Sequence, residues 1–99
     1  MNVPVACTLS GSERAKRESV IRELFKGAER INEIRHGIEA RFDGDGRWLR
    51  QIVELVVAER ECCRFLRFEI TAEPDEGPFV LRVTGPEGTE QVLETWLQV

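Results

Sequence analysis

The chain has 99 residues, of which 41% are hydrophobic and 32% charged, a composition typical of one globular α+β domain over residues 1–99 and not of a disordered segment. Its net charge of −4 argues against a nucleic-acid partner, and no apolar run approaches the roughly 20 residues that span a bilayer. The N-terminal stretch lacks a basic segment followed by an apolar one, so we expect a cytoplasmic protein whose thiols stay reduced.

The first elements follow from short local patterns. Residues 3–9 are apolar and β-branched, which predicts a first strand. Ser10 and Glu13 have the spacing of a capping box, and apolar residues recur at helical spacing from there to about Ala28. Gly27 is a candidate for the end of this helix.

Residues 28–35 leave two interpretations open. They form the first arm of a hairpin that turns at His36 and Gly37, with the glycine supplying a positive φ, or they extend the first helix to about Ile34. The strict alternation of apolar and polar residues over positions 38–42 favours the hairpin.

The second half of the chain has clearer boundaries. Asp45 can cap a second helix over about residues 47–64. Residues 66–72 and 79–84 alternate like strands on either side of a turn rich in proline and glycine, and residues 89–98 have the pattern of a short helix.

The resulting order, β-α-β-β-α-β-β-α, predicts an α+β fold with a mostly antiparallel sheet. Its first six elements are those of a ferredoxin-like β-α-β-β-α-β core, to which a C-terminal strand and helix are added. With the strands counted along the chain, we expect the sheet order 5-4-1-3-2, in which the first strand lies antiparallel to the strand that begins near Leu66.

The second helix carries the unusual residues. A helical projection places Cys63 toward the core, Cys62 on its flank and Glu59 inward, one turn before Cys63. A carboxylate on a core face is rare unless it is paired or bound, so we expect Glu59 to be largely buried and hydrogen-bonded or ion-paired. The plainer alternatives are a ragged helix edge or a pair with an arginine such as Arg82 or Arg41. The same projection assigns the solvent face to Arg47, Arg50, Gln51, Glu54, Ala58 and Glu61.

The predicted topology brings a third thiol to this helix end, because Cys7 lies near the end of the first strand, which adjoins the start of the fourth strand. Cys7, Cys62 and Cys63, with Glu59 as the best auxiliary ligand, then form a candidate site for a soft ion such as Zn, Cu(I), Hg or As(III). His36 lies at the same edge but farther away, and as a turn residue it is a weaker ligand candidate. No Cys–His pair is evident, so binding is favoured over catalysis.

Two segments resemble a family of small bacterial α+β proteins without established function. The first runs from Glu59 to Phe68 and contains an ExECC segment and two phenylalanines, and the second is the TGPEG segment that ends at Gly88. Cys7 and the segment 42–48 extend the likeness over most of the chain. The resemblance implies a link with heavy-metal response and carries over no activity.

Three functional hypotheses remain open. The first is a thiol-based binding or sensing domain for a soft metal or metalloid ion. The second is an interaction or homodimerisation module with structural cysteines, for which outward-facing Trp48, Phe65 and Trp96 would supply the surface. The third is a redox-responsive protein in which Cys7 forms a disulfide with one of the helix cysteines.

Overall fold

The structure, a computed structural model, describes residues 11–97, and describes side chains from residue 15 onward. Within this range three helices and four strands follow one another: α1 (Gly11–Lys26), β1 (Arg30–Ile34), β2 (Gly37–Phe42), α2 (Gly46–Cys62), β3 (Arg67–Ala72), β4 (Phe79–Thr84) and α3 (Thr89–Leu97). The predicted α+β class and antiparallel sheet are confirmed, and the element order is broadly consistent with a ferredoxin-like core that carries extra elements. The predicted first strand, residues 3–9, and the Ser10 cap lie outside the described residues.

The hairpin interpretation of residues 28–35 is confirmed, but its turn was predicted one residue too late. Ile34 pairs with Gly37, so Arg35 and His36 form the two-residue turn. His36 and not Gly37 has the positive φ, at 56°. Gly37 is required for a different reason: a Cβ at this position would lie 2.0 Å from the carbonyl oxygen of Val83 on β4.

The strands are ordered β1-β2-β4-β3 and every neighbouring pair is antiparallel. The predicted order 5-4-1-3-2 is therefore wrong, because β2 pairs directly with β4 and leaves no place for a strand between them. Burial explains the arrangement. Alternate residues of β2 and β4 are buried, whereas every residue of β3 is exposed or half-buried. The two strands with a buried apolar face, β2 and β4, lie in the centre of the sheet, and the more exposed strands β1 and β3 lie at its edges.

One hydrophobic core joins the helices to one face of the sheet. On this face β2 contributes Ile38, Ala40 and Phe42, and β4 contributes their partners Val83, Leu81 and Phe79. The aromatic residues expected to face outward belong to this core or pack on it: Phe65 and Trp96 are buried, and Trp48 packs partly buried against it. The expectation that they form an exposed interaction surface is wrong.

Helices α1 and α2 run antiparallel. The end of α1 at Gly27 meets the Trp48 ring at the beginning of α2, and Arg17 near the beginning of α1 meets Glu59 near the end of α2. Asp45 caps α2 as predicted, its carboxylate accepting a hydrogen bond of 3.0 Å from the Arg47 N–H. None of the described helices is both long and apolar enough to cross a membrane.

Candidate metal site

The inward face of α2 is a single line of buried residues, aliphatic at first and then a carboxylate and a thiol. Ile52, Leu55, Glu59 and Cys62 are spaced by three or four positions and are all buried. The predicted projection placed Glu59 correctly but was rotated slightly, because Cys62 lies on this line and not on its flank. Ala58, assigned to the solvent face, is half-buried, whereas Val53 and Val57 are exposed.

Cys63 faces the same space because the helix ends immediately before it. Its backbone has left the helical conformation, with φ −111° and ψ 72°, while its N–H still donates to the Glu59 carbonyl oxygen at 2.7 Å. Phe65 and Leu66 are buried just beyond it, and the Leu66 N–H donates to the Cys63 carbonyl oxygen at 3.1 Å. These two hydrogen bonds fix the backbone where it leaves the helix, so that the Cys63 thiol lies beside the Cys62 thiol.

The three side chains form a compact buried group. The Cys62 thiol donates to Glu59 Oε2 at 3.1 Å, and the sulfurs of Cys62 and Cys63 are 3.6 Å apart. All three ligand atoms lie within 4.8 Å of one another. Glu59 is only 2% exposed, which confirms that this carboxylate is buried and hydrogen-bonded.

The ion-pair partner of Glu59 is Arg17 of α1. Its Nε lies 4.0 Å from Glu59 Oε2, is buried, and has no hydrogen-bond partner among the described residues. The two arginines named from the sequence pair elsewhere, Arg82 with Glu39 and Arg41 with Glu29. A sequence signal for Arg17 did exist, since it lies one helical turn before buried Ile21 on the core-facing side of α1.

The remaining predicted ligands do not join this group among the described residues. His36 pairs instead with Glu90 at the beginning of α3, its Nδ1 lying 3.1 Å from Glu90 Oε1. Cys7 lies outside the described residues, so its place beside the other cysteines stays a prediction.

The chemistry of the group is compatible with metal binding. Two thiols and one carboxylate can supply soft and oxygen donors to one ion, and burial excludes competing water.

No protein-family model matches the chain, and neither does any curated protein or solved structure. The family resemblance of the sequence therefore stays a prediction.

Proposed function

We propose that this protein is a thiol-based binding or sensing domain for a soft metal or metalloid ion, with Cys62, Cys63 and Glu59 as its ligands. The observation that carries the proposal is the buried convergence of these three side chains within 4.8 Å at the end of one helix. Arg17 pairs with the buried Glu59 carboxylate, and the two thiols beside that carboxylate bring soft donors to the same buried space.

Cys7 supports the proposal as a further thiol ligand. Because α1 and α2 are antiparallel, the first residue of α1, Gly11, lies at the end of the fold where α2 ends. Cys7 precedes Gly11 by four residues, a length of chain that spans up to about 14 Å when extended. We therefore propose Cys7 as a candidate further ligand, although the sheet order that first predicted its meeting with the other two thiols is wrong.

The alternatives have less support. The interaction hypothesis needs exposed aromatic side chains, and these side chains are buried in the core or packed against it. For the redox hypothesis, a disulfide between adjacent Cys62 and Cys63 would close a strained ring and therefore forms only with difficulty. A disulfide to Cys7 stays a prediction of that hypothesis.

Titration of the reduced protein tests the proposal. We expect about one equivalent of Zn(II), or of a trivalent arsenical, to bind and to protect the thiols from a thiol-counting reagent. The double variant C62S/C63S should lose most of this affinity, because both sulfur ligands are replaced by hydroxyls.

Two controls sharpen the titration. Variant C7S separates the contribution of the third thiol from that of the pair on α2. Circular dichroism of the double Ser variant must match that of the parent, so that lost binding is not lost folding. If the double Ser variant binds as tightly as the parent, or if the parent binds no thiophilic ion, the cysteines are structural and the proposal fails.

A further inference from the structure

The distance between the two sulfurs limits which ions fit. With metal–sulfur bonds of about 2.3 Å, sulfurs 3.6 Å apart subtend an angle of roughly 100° at the ion. A linear two-coordinate ion would need sulfurs about 4.6 Å apart on its opposite sides. The thiols are therefore already spaced for a bent arrangement, close to the tetrahedral angle and far from the linear one.

The charges of the group limit the ion further. Two thiolates and the Glu59 carboxylate carry three negative charges, and the Arg17 guanidinium beside the carboxylate carries one positive charge. A divalent ion makes this set neutral, whereas a monovalent ion leaves it negative. Since uncompensated charge is costly in a buried site, the neutral combination is the stable one.

Resting on the function proposed above, we infer that the site selects a divalent, four-coordinate ion of the zinc and cadmium type, held by a bent Cys62–Cys63 pair and the Glu59 carboxylate. Binding transfers the two thiol protons to the buffer and forms two metal–sulfur bonds and one metal–oxygen bond, without any redox step. Arg17 is a positioning residue: it acts on the ion through Glu59, toward which its unpartnered Nε is directed. A solvent molecule completes the coordination, whereas a third thiolate from Cys7 would leave the set with one negative charge.

The variant E59Q separates a divalent from a monovalent preference. Glutamine keeps the shape of the side chain and removes its charge, so a divalent ion then leaves the buried set positive and a monovalent ion makes it neutral. We expect the affinity for Cd(II) to fall by more than about tenfold, while the affinity for Ag(I), a redox-inert stand-in for Cu(I), changes by much less. The exposed Glu61 on the same helix provides the matched control, E61Q, which should change neither affinity.

Arg17 is tested by charge rescue. R17Q should lower the Cd(II) affinity by about tenfold, in the range typical of residues that support a ligand, and R17K should restore most of it. R22Q, on the same helix, is the control, because Arg22 pairs with Glu18. The ultraviolet cadmium–thiolate absorption should keep its shape in all of these variants, which shows that both sulfurs still bind.

The outcomes distinguish this inference from the proposed function. If the wild-type protein binds neither ion, the metal-binding proposal itself fails. If the protein binds Cd(II) but E59Q weakens Cd(II) and Ag(I) equally or neither, the carboxylate does not select the ion and the inference is overturned. Loss of all Cd(II) binding in C7S would also overturn it, since the Cys62, Cys63 and Glu59 set would then be insufficient.

Discussion

At the scale of single residues, the site depends on where α2 stops. Two adjacent residues within a helix point about 100° apart, so Cys62 and Cys63 would diverge if the helix continued. Because Cys63 is the first residue beyond the helix, its thiol instead lies 3.6 Å from that of Cys62. An inserted or deleted residue at this point would separate the thiols without changing either one.

Glu59 and Arg17 form a coupled pair in the metal-free protein, and this predicts a double-mutant cycle. R17M leaves the buried carboxylate without its cation, so we expect the free energy of unfolding to fall by about 1–2 kcal/mol, less than for a fully buried pair because Arg17 is partly exposed. In the E59Q background the same change should cost much less. Urea denaturation in the presence of a chelator measures both, and equal costs in the two backgrounds would show that the residues are not coupled.

The residue-level predictions from sequence located Glu59 correctly, misplaced Cys62 and Ala58 by a slight rotation of the helix, and failed where they depended on two elements. Helical spacing alone places Glu59 inward, and it is buried. The choice of Arg17 over Arg82 or Arg41 required knowledge that α1 lies antiparallel to α2, and no local pattern contains that information. The close approach of Cys63 to Cys62 required the residue at which the helix ends, which burial of Phe65 and Leu66 fixes.

At the scale of elements, the sequence identifies the strands but not their neighbours. Alternation marks β2, β3 and β4 correctly, because a period of two is a property of each strand by itself. The pairing of β2 with β4 depends on which apolar faces can be covered by helices. Edge strand β3 alternates just as cleanly in sequence, yet Ile70 remains 38% exposed in the structure.

Because β2 and β4 are in close contact, a single methyl group added at Gly37 should strongly reduce the stability of the fold. In G37A the new Cβ would meet the backbone carbonyl of Val83, which cannot move without breaking the ladder, so we expect a loss of about 2 kcal/mol or more in stability.

The control G46A adds the same methyl group at the beginning of α2, where only the end of the Arg50 side chain lies within 4 Å. It should be neutral or stabilising by up to about 1 kcal/mol, because alanine favours the helix. Thermal unfolding of both variants checks the pair, and equal destabilisation would contradict the assigned register.

At the scale of the whole molecule, the candidate site joins parts that are distant in the chain. Arg17 comes from α1, Glu59 and Cys62 from α2, and Cys63 from the turn that leads to β3. An ion bound there would fasten α2 to the turn directly and to α1 through Arg17. A groove of about 440 Å³ lies between α1 and α2 and is bordered by Arg17, Val20 and Leu55.

Metal loading should therefore stabilise the entire fold, since the unfolded chain cannot hold the three ligands and Arg17 together. Free Cd(II) at about 100 times its dissociation constant should raise the free energy of unfolding by up to about 2.7 kcal/mol, less whatever affinity the unfolded thiols retain. For a domain of this size the full ~2.7 kcal/mol corresponds to a rise of about 11–22 °C in the unfolding temperature, measurable by calorimetry. C62S/C63S should show no rise under the same conditions. An equal rise in that variant would place the ion elsewhere on the protein, whereas a rise that disappears in it and shrinks in R17Q would tie the stabilisation to this site and to its link with α1.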